Sequence, residues 1–188
     1  MPRRLIPFVV ENYYHIYNRG NNRAAIFFQP ENYLYFLKGM ERYLLPVADI
    51  IAYCLMPTHY HLLVRVKPGS GARPMPGIST AMMRLSVSYT KAVNKRFRRV
   101  GVLFQGSFRA KPVFDSDHLL HLCRYIHGNP VKDRLVIDPA SWPYSDYLEW
   151  IGERQGDLID RGFVQAHFPD PRDYKDFVLE YLSNRSPP

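Results

Sequence analysis

Hydrophobic and polar positions change period several times along the chain, and each change marks an element. Residues 13–18, YYHIYN, are rich in Tyr and Ile and predict a strand. Residues 19–23, RGNNR, form a turn-rich basic loop. From Pro30 to about Leu45, apolar residues fall near helical spacing at Leu34, Leu37, Met40, Tyr43 and Leu44, and Pro46 ends that helix. Residues 48–55, ADIIAYCL, predict a second strand. Pro57 and Thr58 turn the chain, and residues 59–66, HYHLLVRV, predict a third, so the two form a hairpin.

Residues 67–77, KPGSGARPMPG, read as a flexible Pro/Gly loop. Ser79 is the expected N-cap of a long helix reaching about Arg98. Leu85, Tyr89, Val93 and Phe97 line one face of it, while Arg84, Lys91, Lys95 and Arg98 line another. Residues 108–114, FRAKPVF, predict a fourth strand whose Pro112 suits an edge. Asp115 or Ser116 caps a third helix, from Asp117 to about His127, which Gly128, Asn129 and Pro130 are expected to stop. The order β-α-β-β-α-β predicts an α+β, ferredoxin-like antiparallel sheet with helices on one face, and the third helix follows the last strand. Beyond Trp142 the pattern turns mixed and polar, with a helix expected over residues 173–182. Residues 1–147 are read as the main domain and 148–188 as a helical C-terminal extension.

Length and composition fit that plan. A chain of 188 residues suits one domain with an appendage, and 46% hydrophobic residues can build a core. The formal charge of +8 favours a polyanionic partner, nucleic acid first. Two cysteines, Cys54 and Cys123, are too few for a disulfide framework or a Cys-built zinc site, and both lie in apolar stretches. The apolar patch after the basic start spans residues 5–10, is interrupted by Pro7, and is too short for a signal peptide. No stretch reaches membrane-spanning length, so a soluble cytoplasmic protein is expected.

The chemistry concentrates in two short stretches. His59 and His61 sit at i and i+2 of a strand, which points both imidazoles to one side, roughly 6.5–7 Å apart at Cα, and sends Tyr60 to the other. They either decorate the surface or converge on one cation. In CRYIHGNP, residues 123–130, Tyr125 lies in the last expected helical turn and Asn129 follows four residues on. If the helix persists, the two share a face. An amide oxygen suits a hard divalent cation, whereas a tyrosine at this spacing is more often core.

Several motifs in order carry a resemblance: YHIYNRGNNR, AYCLMPTHYHLLV, LFQGSFRAKPV, and RYIHGNPVKDRLV followed by WPYSDY. Over roughly residues 13–147 the chain resembles the HUH-type single-tyrosine transposases of the IS200-like superfamily, and within them the REP-associated tyrosine transposases. The family's histidine–hydrophobic–histidine motif falls on His59, Tyr60 and His61. Tyr60 is an amphipathic occupant of the middle position. The family's catalytic tyrosine falls on Tyr125 and its third metal ligand on Asn129.

The resemblance implies cleavage and rejoining of single-stranded DNA at hairpin-flanked sites through a 5′-phosphotyrosine, with Mg²⁺ or Mn²⁺ as cofactor. It implies mobilisation of DNA by a cytoplasmic, nucleoid-associated enzyme. Relatives of the IS200-like group are dimers that exchange the tyrosine helix, whereas REP-associated relatives can act as monomers. The C-terminal extension favours a monomer here, with a homodimer as the alternative. Arg19, Arg23, Arg84, Lys91, Lys95, Arg98, Arg99, Arg109 and Lys111 are the candidates for phosphate contact. Two rival readings remain: a domesticated hairpin DNA- or RNA-binding protein without chemistry, and a metal-dependent nuclease with water as nucleophile. A covalent protein–DNA adduct separates them from a transposase.

Overall fold

Four strands and the helices between them follow the expected order. β1 (Tyr13–Arg19) leads to α1 (Pro30–Gly39), β2 (Ala48–Met56) pairs with β3 (His59–Val66), and α2 (Ile78–Arg96) returns the chain to β4 (Arg109–Val113). α3 (Ser116–Lys132) follows, and among the described residues three further α-helices come after it: α4 (Tyr147–Trp150), α5 (Arg161–His167) and α6 (Pro171–Ser183). The computed structural model describes residues 7–69 and 77–184. Most of the Pro/Gly loop expected over 67–77, and the first two residues of the apolar patch over 5–10, lie outside the described residues.

The sheet order is β2-β3-β1-β4 and every neighbouring pair is antiparallel. This is the α+β, ferredoxin-like arrangement. Side chains opposite one another across an antiparallel pair share a face. One face therefore carries Tyr14, Ile16, Tyr60, Leu62 and Val64, all buried. α1 and α2 cover it: the Tyr60 ring lies 5.0 Å from Phe36 of α1, and Phe36 lies 5.1 Å from Tyr89 of α2. The opposite face carries His15 and Tyr17 of β1, His59 and His61 of β3, and Arg109 and Lys111 of β4. α3 crosses that face, packing on β2, β3 and β4.

Several boundaries differ from expectation. α1 ends at Gly39 and passes into a wider turn over Met40–Leu44. The N-cap of α2 is Gly77, and Ser79 sits inside the first turn. More consequentially, α3 does not stop at Gly128 but runs through Asn129 and Pro130 to Lys132. Pro130 has no N–H to give Ile126, a defect worth about 3 kcal/mol in a helix interior. The Asn129 side chain repairs it in part, its Nδ2 donating to the carbonyls of Tyr125 at 2.9 Å and Ile126 at 3.4 Å. Gly128, Asn129 and Pro130 are all buried, so packing holds the turn that local preference disfavours. At the other end, Asp115 is the cap, its carboxylate accepting from His118 N–H at 2.7 Å.

The chain beyond Trp142 covers the outer edge of β2. Leu55 N–H donates to Tyr144 O at 2.9 Å, and the indoles of Trp142 and Trp150 donate to Leu55 O and Ile51 O. An unpaired edge strand invites aggregation, and this segment removes that edge. The C-terminal helix α6 packs on α3. Tyr147, Trp150, Tyr174 and Val178 belong to the same hydrophobic core as the sheet.

Candidate active site

The period of β3 brings His59 and His61 to one face, with ring centroids 5.1 Å apart. Tyr60 between them is sealed in the core on the far side. α3 then lays Tyr125 against the pair. The Tyr125 ring meets His61 edge-on at 5.6 Å between centroids. Asn129, one turn later, is buried, and its amide nitrogen is committed to helix carbonyls, which makes the oxygen its candidate ligand atom. Because α3 continues, Lys132 also reaches this place. Its Nζ sits 4.4 Å from the Tyr125 ring centroid and donates to the Tyr181 hydroxyl of α6 at 3.2 Å.

His15 and Tyr17 were not singled out from the sequence, yet both stand in the site. His15 Nε2 is 2.9 Å from His61 Nδ1, and the two rings meet edge to edge with centroids 5.1 Å apart. Tyr17 lies 4.9 Å from His15 and 6.0 Å from His61. Burial lowers the His15 pKa to about 4, with Lys111 and His118 opposing any further positive charge. Burial also pushes His61 well below its ordinary value, helped by His15, His59 and Lys132. His59 is lowered by burial, with Asp133 acting against the shift and Arg19 adding to it.

Neutral imidazoles are the form that binds metal. His59 Nδ1 is 3.0 Å from Thr58 Oγ1 and His61 Nδ1 is turned to His15, so Nε2 is the remaining nitrogen on each. Two neutral imidazoles and an amide oxygen form a donor set that fits a divalent cation. Among the described residues no three His, Cys, Asp or Glu side chains gather into a metal cage. A complete coordination shell would therefore draw on Asn129, water and the oxygens of a phosphate.

The nine basic candidates divide between the faces. Arg19 stands opposite His59, Arg109 opposite Tyr17, and Lys111 opposite His15, all exposed on the histidine side. The Arg19 guanidinium donates to Gln105 Oε1. Arg23 closes the tight turn after β1 with a positive φ of 59°. Arg84, Lys91 and Lys95 are exposed on α2, across the sheet from the histidines. Arg84 and Lys91 line an open cavity of about 510 Å³ with Tyr43, Met83, Val87 and Ser88. Arg98 and Arg99 follow α2, and Arg99 lies 5.6 Å over the Phe28 ring.

The chain is similar to known proteins in both sequence and fold. The family described as "Transposase IS200 like" matches residues 8–129, more than half of the chain, and the chain belongs to that family of DNA-cleaving transposases. The fold is similar to that of a REP-associated tyrosine transposase determined bound to a REP hairpin. The TM-score is 0.65 at 17% identity, covering 85% of this chain and 94% of that one. A stretch of 86 residues is 34% identical to the DNA mismatch repair protein MutL of Rhodopseudomonas palustris strain BisA53 and covers 43% of this chain. The corresponding protein of strain TIE-1 is 30% identical over 86 residues. The chain spans 14% of the length of these curated relatives. Members of the transposase family generally use a divalent metal. Among the described residues no helix is long and apolar enough to cross a membrane.

Proposed function

We propose that this protein cuts and rejoins single-stranded DNA beside hairpins through a 5′-phosphotyrosine on Tyr125. His59, His61 and Asn129 would hold Mg²⁺ or Mn²⁺. The observation that carries the reading is the approach of the Tyr125 ring to His61, 5.6 Å between centroids within one chain. It supports a tyrosine that serves its own histidines, and so a monomer; the proposed place of action is the cytoplasm, on the DNA of the nucleoid.

When bound, the cation supplies positive charge to the scissile phosphate and to the departing oxygen. The chain's own groups do the rest. Tyr125 Oη forms a bond to phosphorus as the P–O3′ bond breaks. The phenol proton goes to solvent and the leaving 3′-oxygen takes one up. One phosphodiester is exchanged for another, so a 3′-hydroxyl from a second strand end can reverse the step without an external energy source. Lys132 adds positive charge beside the ring, where the phosphate would arrive. The bond from the Asn129 amide to the Tyr125 carbonyl braces the turn that carries the nucleophile. Arg19, Arg109 and Lys111 offer phosphate contacts on the same face.

The test is a labelled single-stranded hairpin incubated with Mg²⁺ or Mn²⁺ and run under denaturing conditions. The wild type should leave a covalent adduct. Tyr125→Phe removes one oxygen and almost no volume, so it should bind the hairpin yet trap nothing. The double change His59→Ala, His61→Ala should abolish cleavage while hairpin binding persists. Cleavage without an adduct would mean a hydrolytic nuclease. Binding with no cleavage in the wild type would mean a hairpin-binding protein.

A further inference from the structure

A neutral imidazole carries one proton on one of two nitrogens, and a metal can bind only the bare one. If His61 ligates through Nε2, its proton must sit on Nδ1. That N–H lies in a buried place and requires an acceptor. The atom 2.9 Å away is His15 Nε2. His15 comes from β1, opposite Leu63 and diagonal to His61 across the β1–β3 pair. Its ring meets that of His61 edge to edge, the two planes within 26° of one another, which also fixes the plane in which His61 can turn. The opposite arrangement, His15 donating to His61 Nδ1, would put the His61 proton on Nε2 and block the ligating atom.

We propose that His15 is a positioning residue whose Nε2 accepts the Nδ1–H of His61, selecting the tautomer and ring plane that offer His61 Nε2 to the metal. This rests on the reading of His59 and His61 as ligands. Partners that orient ligating histidines are commonly worth about 10–100-fold in metal affinity.

Three variants of the full chain separate the hydrogen bond from mere packing. In His15→Gln the amide oxygen stands where Nε2 stood and can still accept. In His15→Asn the shorter amide matches Nδ1 and cannot reach. His15→Leu fills the space with no acceptor. Two measurements apply: the ring-nitrogen NMR shifts of His61 in metal-free protein, and Mn²⁺ affinity by electron paramagnetic resonance without DNA. The wild type should show His61 protonated at Nδ1. His15→Leu and His15→Asn should lose that preference and bind Mn²⁺ about 10–100-fold more weakly, and His15→Gln should restore both. Hairpin binding in EDTA, alongside thermal melting, shows that each variant is folded. A wild-type His61 protonated at Nε2 would overturn the proposal. So would His15→Leu binding Mn²⁺ as the wild type does, or His15→Gln failing as His15→Leu fails. Wild type that binds no Mn²⁺ would instead bring down the ligand reading, and this proposal with it.

Discussion

Replacing Asp146 by Ala should cost about 4 kcal/mol of folding stability, and the figure follows from counting its buried partners. Asp146 and His127 are both fully buried. One carboxylate oxygen accepts from the Tyr53 backbone N–H at 2.5 Å and from His127 Nε2 at 2.9 Å, and the other accepts from the Trp150 indole at 3.1 Å. The second His127 nitrogen lies 2.6 Å from the Tyr174 hydroxyl. This network ties the tyrosine-bearing α3 to β2, α4 and α6. Alanine orphans two donors, Tyr53 N–H and His127 Nε2–H, at about 1–3 kcal/mol each. The Trp150 indole keeps Ile51 O at 3.2 Å and adds little. The small void left behind adds on the order of 1 kcal/mol. The total matches the roughly 3–5 kcal/mol seen when one partner of a buried pair is removed.

A domain has about 5–15 kcal/mol in all, so Asp146→Ala should melt on the order of 10 °C lower and still fold. Asp146→Asn keeps an oxygen for Tyr53 and His127 but turns an amide toward the indole donor. It should cost about 1–2 kcal/mol. Urea unfolding followed by circular dichroism measures both. If Asp146→Ala lies within about 1 kcal/mol of the wild type, or equals Asp146→Asn, the network does not anchor α3.

Two further outcomes are expected. Between pH 6.5 and about 4 an unfolded histidine is protonated while folded His15 stays neutral, so the unfolded state binds more protons. Stability is then full above pH 6.5 and is lost as the pH falls toward 4; urea midpoints at pH 7 and pH 5 check this, and equal midpoints would refute it. The charge reversals Arg109→Glu with Lys111→Glu should weaken hairpin binding for all sequences and reduce the salt slope by about 1 per lost contact. The triple reversal of Arg84, Lys91 and Lys95, on the far face, should cost less, and an equal or greater loss would relocate the phosphate track to α2.

What the sequence revealed was what depends on near neighbours. Strand period placed His59 and His61 on one face and Tyr60 on the other, because alternation is a property of the strand alone. The hairpin, the long α2 and the capping of α3 at Asp115 or Ser116 were legible for the same reason. His15 and Tyr17 were not. Their strand was expected, but what brings Tyr17 opposite His61 is the register of β1 against β3, which is set by contacts between residues far apart in the chain. The split of the basic residues was hidden likewise, since a helix pattern tells which residues share a side but not which side of the sheet the helix takes.

Lys132 was missed through a rule that lost to packing. The restriction on residues before proline ended the expected helix at about His127, so Lys132 had no place relative to Tyr125. The continuation of α3 depends on burial of Gly128–Pro130 and on the Asn129 amide reaching back to Tyr125 and Ile126. Asn129 thus has one observed use and one proposed: its nitrogen carries the helix past a proline, and its oxygen is the proposed ligating atom. A further consequence concerns the segment after residue 147, proposed as an extension. The family match ends at residue 129, yet Asp146 and Tyr174 hold His127, and Tyr181 holds the lysine over Tyr125. Side chains beyond the family match thus fix the helix that carries the proposed nucleophile, and the geometry of the candidate site depends on elements as far apart in the chain as β1 and α6.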